Sequence, residues 1–277
     1  MNKPLISFEF FPPQTSEGVA KLTAVRKQLA AINPEFFSVT FGAGGSTQDR
    51  TMETIRLIHA EGHSAAPHLS CVGSTRDNIR ALLLAYKDMG IKRIVALRGD
   101  LPSGMHSIGE FQYANELVSY IRAQTGEHFH IEVAAYPEFH PQAKSAHDDL
   151  LNFKRKVSAG ADSAITQYFY NADAYFRLVE DCRKLGVIKP IVPGIMPIMK
   201  FSQLARFSDM CGAEIPRWMR KTLEGYGDDA ESVQAFGLDA VTQLCEKLIA
   251  GGAPGLHFYT LNQAGASLEI VKRLGYQ

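Results

Sequence analysis

Charge of one sign is missing from this sequence. Lys plus Arg number 29 and Asp plus Glu number 29 over 277 residues, so no net field exists to gather nucleic acid or an anionic membrane. Cysteine is sparse as well. Cys71, Cys182, Cys211 and Cys245 stand far apart with no CxxC pair, which excludes a disulfide scaffold and a zinc ribbon and reads as reduced thiols. Long apolar runs are absent too: none approaches the ~20 residues needed to cross a bilayer. The amino terminus enters an apolar stretch almost at once, but Glu9 interrupts it, which makes a poor export signal. A soluble cytoplasmic protein is expected. Neither GxGxxG nor a P-loop occurs. His59 and His63 are separated by the helix-ending Gly62, and His128 and His130 lack a companion Cys or acid, so no metal site is expected.

What is present is regular alternation. Eight β-rich runs (Leu5–Phe11, Phe36–Phe41, Ala65–Val72, Arg93–Leu97, Ile131–Tyr136, Ala164–Phe169, Ile191–Ile195 and Leu256–Leu261) are separated by stretches with apolar residues at helical spacing. Ser, Thr, Asp and Asn mark helix starts at Ser46-Thr47, Ser74-Thr75, Asn171 and Asp228-Asp229, and glycines mark the ends. Such alternation predicts parallel strands with helical crossovers. With no composition break, it predicts one α/β domain over 1–277, a closed (β/α)8 TIM barrel with an extra helix near Pro216–Glu224 between strands 7 and 8. An open doubly wound sheet is the alternative the pattern allows.

Barrel chemistry gathers at the carboxyl ends of the strands. Polar residues stand at nearly every such end here: Thr40, His68, Arg98-Gly99-Asp100, Tyr136 with His140, Gln167, and Tyr259-Thr260-Leu261-Asn262. That pattern fits a large ligand held by many contacts in one cleft. Glu9 is the most telling residue. It lies inside Ser7-Phe8-Glu9-Phe10-Phe11, where alternation puts Ser7, Glu9 and Phe11 on one face and Phe8 and Phe10 on the other. A buried carboxyl is either paired or protonated. Paired with a buried Arg or Lys it would serve only the fold; protonated, it could donate to a substrate.

Eight strings, SFEFFPP, VTFGAGGST, PHLSC, ALRGDLP, AAYPEFHPQA, AITQYF, PGIMPI and HFYTLN, occur in order from Ser7 to Asn262. Together they resemble the short prokaryotic form of 5,10-methylenetetrahydrofolate reductase. The resemblance implies a flavoprotein barrel in which FAD passes a hydride from a reduced nicotinamide, NADH before NADPH, to 5,10-methylenetetrahydrofolate. It implies ping-pong kinetics, a 5-methyltetrahydrofolate product that feeds methionine synthesis, a homo-oligomer (dimer or tetramer), and no inhibition by S-adenosylmethionine.

By the same resemblance, Glu9 is the general acid and Asp100 tunes the charge of the reacting groups. FAD contacts are implied for Thr40, Phe41, Ala43, His68, Arg98, Gly99, Asp100, Ala114, Tyr136, His140, Ala143, Asp149, Asn152, Arg155 and Lys156. Substrate contacts are implied for Glu9, Asp100, Gln167, Gln203, Phe207, Tyr259 and Leu261. Without it, Asp149, Asn152 and Lys156 read as a solvated helix face, and Phe207 as core packing. Another flavin barrel, such as a proline dehydrogenase, or a non-catalytic flavin-binding protein are the rival readings. One departure stands out: Gln263 occupies a position where many relatives carry arginine.

Overall fold

The computed structural model describes residues 4–42, 47–100 and 109–276. Strand β1 (Leu5–Phe10) is followed by helix α1 (Ser16–Ala30), and the unit repeats through β2 (Phe36–Val39), α2 (Gln48–Ala60), β3 (Ala65–Ser70), α3 (Arg76–Asp88), β4 (Arg93–Leu97), α4 (Ala114–Thr125), β5 (His130–Ala135), α5 (Ala146–Ser158), β6 (Ser163–Thr166) and α6 (Ala172–Lys184). Two short strands follow, β7 (Ile191–Val192) and β8 (Gly194–Ile195). Helices α7 (Phe201–Cys211), α8 (Arg217–Tyr226) and α9 (Ala230–Ala250) then lead to β9 (Gly255–Tyr259) and α10 (Gly265–Arg273).

All pairings are parallel, in the order β7-β6-β5-β4-β3-β2-β1-β9-β8. The two ends of that order are neighbours in the chain, separated only by Pro193. The sheet therefore closes on itself as a barrel of eight staves. The seventh stave is split because proline has no N–H to donate to a ladder. Its carbonyl still accepts the amide of His257 at 3.0 Å. The expected extra helix is α8, so three helices separate the seventh stave from the last.

Closure also depends on glycine at one point. A Cβ on Gly194 would lie 2.2 Å from the carbonyl oxygen of Thr166 and 2.6 Å from the Tyr259 ring. Only a residue without a side chain lets Tyr259 reach that carbonyl, with its hydroxyl donating at 2.6 Å.

Several strands end earlier than the sequence implies. β1 stops at Phe10, β2 at Val39, β3 at Ser70, β6 at Thr166 and β9 at Tyr259. The residues beyond them leave the ladder to form the rim of the mouth. Alternation sends Ser7 and Glu9 toward the barrel axis. Phe8 and Phe10 point outward into an aromatic cluster, with Phe37 at 6.1 and 5.4 Å and Phe258 5.7 Å from Phe8. Each fully buried ring of this kind contributes roughly 1.5–3 kcal/mol. Phe11 lies past the strand end and is half exposed.

Candidate active site

A cleft of about 420 Å³ opens at the carboxyl ends of the strands. It brings together Glu9, Thr40, Phe41, His68, Gly99, Asp100, Tyr136, Gln167, Phe207, Tyr259 and Leu261 of the residues named from sequence. They come from seven of the eight staves and from α7, so the closed barrel itself converges them.

Glu9 sits between two imidazoles. Its Oε2 lies 3.1 Å from Nε2 of His68, out of line for a hydrogen bond, and 3.5 Å from Nε2 of His257. Ser38 Oγ stands 3.5 Å from the same oxygen. Nδ1 of His257 is 2.7 Å from Ser7 Oγ, so with the ring proton on Nε2 the serine hydroxyl donates to Nδ1. Register explains the cluster: Ser7 pairs with His257 across β1 and β9, and Glu9 pairs with Ser38 across β1 and β2. Side chains two residues apart on one strand face occupy successive layers of the barrel, and register brings their partners on neighbouring strands to meet them.

The electrostatics bear on the two states open to Glu9. Burial pushes the Glu9 carboxyl upward, but His68 and His257 together outweigh it and hold the group at about 2. Of the two states that the apolar strand leaves open, paired or protonated, the open cleft favours the paired carboxylate. Its partner is neither an Arg nor a Lys; the balancing groups are the imidazoles of His68 and His257.

Around this cluster lie polar groups with unspent hydrogen-bonding capacity. Gln167 Oε1 accepts from the amide of Tyr168 at 3.0 Å, which turns its NH2 group to other partners. Asp100 is exposed at the rim. Gly99 adopts φ +83°, and a Cβ there would sit 1.8 Å from Ser70 Oγ. Glycine is required by both conformation and space. Ser70 Oγ donates to the Arg98 carbonyl at 2.9 Å, and the Arg98 guanidinium reaches Gln142 Oε1 at 2.6 Å.

A second groove, about 390 Å³, runs from Tyr136 between α5 and α6 and is lined by Asp149 and Lys156. Ser145 caps α5 by accepting the Asp148 amide at 3.1 Å, which fixes that helix beside the mouth. Asp149 Oδ2 accepts the His140 amide at 3.1 Å, and the His140 ring meets Tyr136 edge-on at 4.6 Å. Burial pushes the Tyr136 hydroxyl up to about 12, with Asp149 and Asp100 adding to it. Burial also lowers His140. Lys156 turns its ammonium onto the Ala134 carbonyl oxygen, forms no ion pair within 4.0 Å among the described residues, and is brought down by burial to about 8.

Some named residues stay apart from both clefts. Asn152 and Arg155 bond to each other on the exposed face of α5. Ala143 sits in the preceding loop, where its amide donates to the His140 carbonyl at 2.9 Å. Ala114 begins α4 without lining either groove. Gln203 lines a third depression. Ala43 lies outside the described residues. Sequence reasoning missed His257, fully buried yet central to the Glu9 cluster. Its signal was available, since it stands two residues before Tyr259 on the same strand face. Tyr168, Met196 and Cys211, which also line the cleft, carried no such signal.

These features define a parallel (β/α)8 barrel whose reactive groups converge in a single cleft at the C-terminal mouth. The model of the methylenetetrahydrofolate reductase family matches residues 1–275, and the chain belongs to that family. It is 44% identical to 5,10-methylenetetrahydrofolate reductase of Escherichia coli (strain K12), over 98% of this chain and 90% of that protein. It is 39% identical to methylenetetrahydrofolate reductase (NADH) 1 of Arabidopsis thaliana, over 97% of this chain but 48% of the plant protein. Among solved structures, an uncharacterized Clostridium thermocellum protein that binds two copies of 5-methyl-5,6,7,8-tetrahydrofolic acid superposes with a TM-score of 0.67 over 99% of this chain and 94% of that one, at 16% identity. That likeness bears on the fold.

Proposed function

We propose that this methylenetetrahydrofolate reductase is a flavoprotein that takes hydride from NADH and delivers it to 5,10-methylenetetrahydrofolate, the two ligands using one cleft in turn. The observation that carries this reading is the Glu9 carboxylate held between His68 and His257 at the floor of that cleft. Residues fit a dinucleotide flavin in a specific respect. Lys156 is a cation turned into the protein against a single backbone carbonyl, with no carboxylate partner within 4.0 Å among the described residues, as expected of a group awaiting an anion. Lys156, Asp149 and Arg98 would hold the pyrophosphate and ribose side, and Thr40, His68, Gly99 and Tyr136 the ring side. When bound, FAD supplies a two-electron relay between the nicotinamide and the folate.

The chain's own residues account for the proton and the charge. The methylene bridge of the substrate joins two nitrogens, and opening one C–N bond requires that nitrogen to be protonated. Glu9 Oε2 is the donor once it has taken up a proton. Filling the cleft removes water, which strengthens the one influence that raises the carboxyl and draws the proton onto Oε2. The Asp100 carboxylate at the rim stabilises the cationic iminium that accepts hydride. The free amide of Gln167 orients folate or nicotinamide, and Phe207 stacks against either. One cleft serving both ligands gives ping-pong kinetics, and the 5-methyl product then supplies methionine synthesis.

The visible spectrum of purified protein under anaerobic conditions tests the reading. Flavin bands that bleach with NADH and return with methylenetetrahydrofolate are expected. A colourless protein that cannot be reconstituted with FAD would overturn it.

A further inference from the structure

Just past Tyr259 the backbone turns in an unfavourable way. The Gln263 amide donates to the Thr260 carbonyl at 2.9 Å, and the two residues between them take left-handed backbone, Leu261 at φ +51° and Asn262 at φ +59°. Two positive φ values in a row are those of a type I′ turn, which glycine and asparagine fill readily. Leucine does not. Among the described residues no other two adjacent non-glycine residues share this conformation. Such strain persists only where the surroundings over-determine it.

Those surroundings are the end of β1. The β1–β9 ladder stops at Glu9 and Tyr259, and from there side chains replace the backbone. The Thr260 hydroxyl donates to the Glu9 carbonyl at 2.6 Å and accepts the Asn262 amide at 3.1 Å. The Asn262 carboxamide then meets both polar groups of Phe11. Its Oδ1 accepts the Phe11 amide at 2.8 Å, and its Nδ2 donates to the Phe11 carbonyl at 2.9 Å. A carboxamide carries the donor and acceptor of a peptide group, so Asn262 stands in for the next residue of a strand that has already turned away. On the other side the Thr40 amide donates to the Phe10 carbonyl at 2.9 Å. Glu9, Phe11, Thr260 and Leu261 all line the main cleft, whereas Asn262 does not.

We propose that Asn262 and Thr260 are positioning residues for the proton transfer: their clasp on Glu9 and Phe11 fixes where the Glu9 carboxyl stands relative to His68, His257 and the folate. The inference rests on the reading of Glu9 as the donor and adds the two residues that aim it. Glu9 is the last residue of β1 in register with β9, so on that side only the clasp restrains the backbone that follows. The same turn sets Leu261 on the cleft wall, so the acid and that wall are fixed together. A misplacement of about 1 Å costs on the order of 10²-fold in a reaction that needs alignment.

The test measures the holoenzyme as wild type, Asn262→Gly, Thr260→Val, Thr260→Ser, Glu9→Gln and the double variant Glu9→Gln/Asn262→Gly. Glycine adopts left-handed backbone without cost to sterics, so Asn262→Gly removes the carboxamide and leaves the turn allowed. In stopped-flow absorbance, Asn262→Gly should bleach with NADH within about twofold of wild type while the folate half-reaction slows on the order of 10- to 100-fold, in kcat and not in KM. Thr260→Val should slow the same half-reaction, and Thr260→Ser, which keeps the hydroxyl, should restore it. The double variant should be no slower than Glu9→Gln, because a residue that acts through Glu9 has nothing to aim once the acid is gone. Crystal structures read the placement directly. Oε2 of Glu9, 3.1 Å from His68 and 3.5 Å from His257 in the wild-type protein, should shift by about 1 Å in Asn262→Gly. Losses that multiply in the double variant, equal loss in both half-reactions, or an unmoved Glu9 would overturn the proposal. If Asn262→Gly does not fold, the Thr260 pair decides on the same readouts. Failure of the reductase reading looks different, as wild-type protein that neither binds flavin nor turns over folate. The crystallographic comparison still decides whether the clasp holds Glu9 in that case.

Discussion

Two buried glutamates at opposite ends of the barrel show how position decides role. Glu132, on β5 near the amino-terminal mouth, is 2% exposed and bonds Arg93, His130 at 3.3 Å and Ser163 at 2.6 Å. Arg93 in turn holds Glu35 at 2.5 Å and stacks 4.5 Å over the ring of Phe36. Glu9, near the carboxyl-terminal mouth, is bracketed by imidazoles and faces a cavity. Both carboxyls are lowered despite burial that pushes them up. The difference lies in the surroundings. Glu132 has a guanidinium as well as the His130 imidazole, and with Ser163 they close the network around it. Glu9 has imidazoles and no guanidinium, and it stands beside space for a ligand.

The sharpest break of that comparison is Glu9→Gln. Flavin should bind and bleach with NADH as before, while folate reduction falls about 10²- to 10⁴-fold, the usual worth of a positioned acid. Stopped-flow absorbance separates the two half-reactions. Equal loss in both would make Glu9 a fold residue like Glu132.

At the other mouth the expected loss is in stability. Glu132→Ala leaves Arg93 and Ser163 facing a void and should cost about 3 kcal/mol in urea unfolding, the scale of breaking a buried ion pair. Glu132 is lowered from the ordinary 4.5 in the folded protein. Its contribution is therefore present above that value and lost as pH falls toward the folded one. The gap between wild type and variant should be full at pH 7 and shrink below about pH 4.5.

This contrast also marks how far the sequence could be read. The eight staves, the tip residues and Glu9 itself were legible, because alternation and helix signals are local and hydrophobic runs are hard to hide. The strand ends were overextended at Phe11, Phe41, Val72 and Phe169, because apolar residues on the rim of a cleft look like apolar residues in a strand. Which state Glu9 takes was left open for a deeper reason. Its apolar neighbours are adjacent in sequence, whereas His68 and His257 arrive through register with other strands. The Arg93–Glu132 network escaped entirely, since its members sit on β4, β5 and β6 and the loop before β2.

A smaller effect is expected at Lys156, the cation paired with neither glutamate. Lys156→Met should weaken FAD about tenfold, as one charge-assisted contact is lost. Burial brings this ammonium down from 10.5 to about 8 in the flavin-free protein. Wild-type affinity for FAD should accordingly decline as pH rises above about 8, while the methionine variant shows no such decline. Fluorescence titration of FAD at pH 7 and pH 9 reads both. Equal slopes would place the flavin anion elsewhere.

The smallest effect, and the finest probe of the comparison, is His257→Gln. It removes one of the two imidazoles that hold Glu9 at about 2 and leaves His68 in place. Burial is then opposed by less, so the carboxyl rises and takes up a proton at higher pH. The acidic limb of the folate half-reaction should move upward, with a change in rate of only a few fold. Stability carries the matching sign. A depressed carboxyl stabilises the fold above 4.5 and loses that contribution as pH falls through about 2. Substituting His257 should therefore cost about 1–2 kcal/mol at pH 7, where the carboxylate loses a hydrogen-bond partner, and less at pH 4. Urea unfolding at the two pH values, set beside the rate profile, decides it. A stability loss with no movement of the limb would assign His257 to the fold alone, and the imidazoles around Glu9 would then serve it as Arg93 serves Glu132.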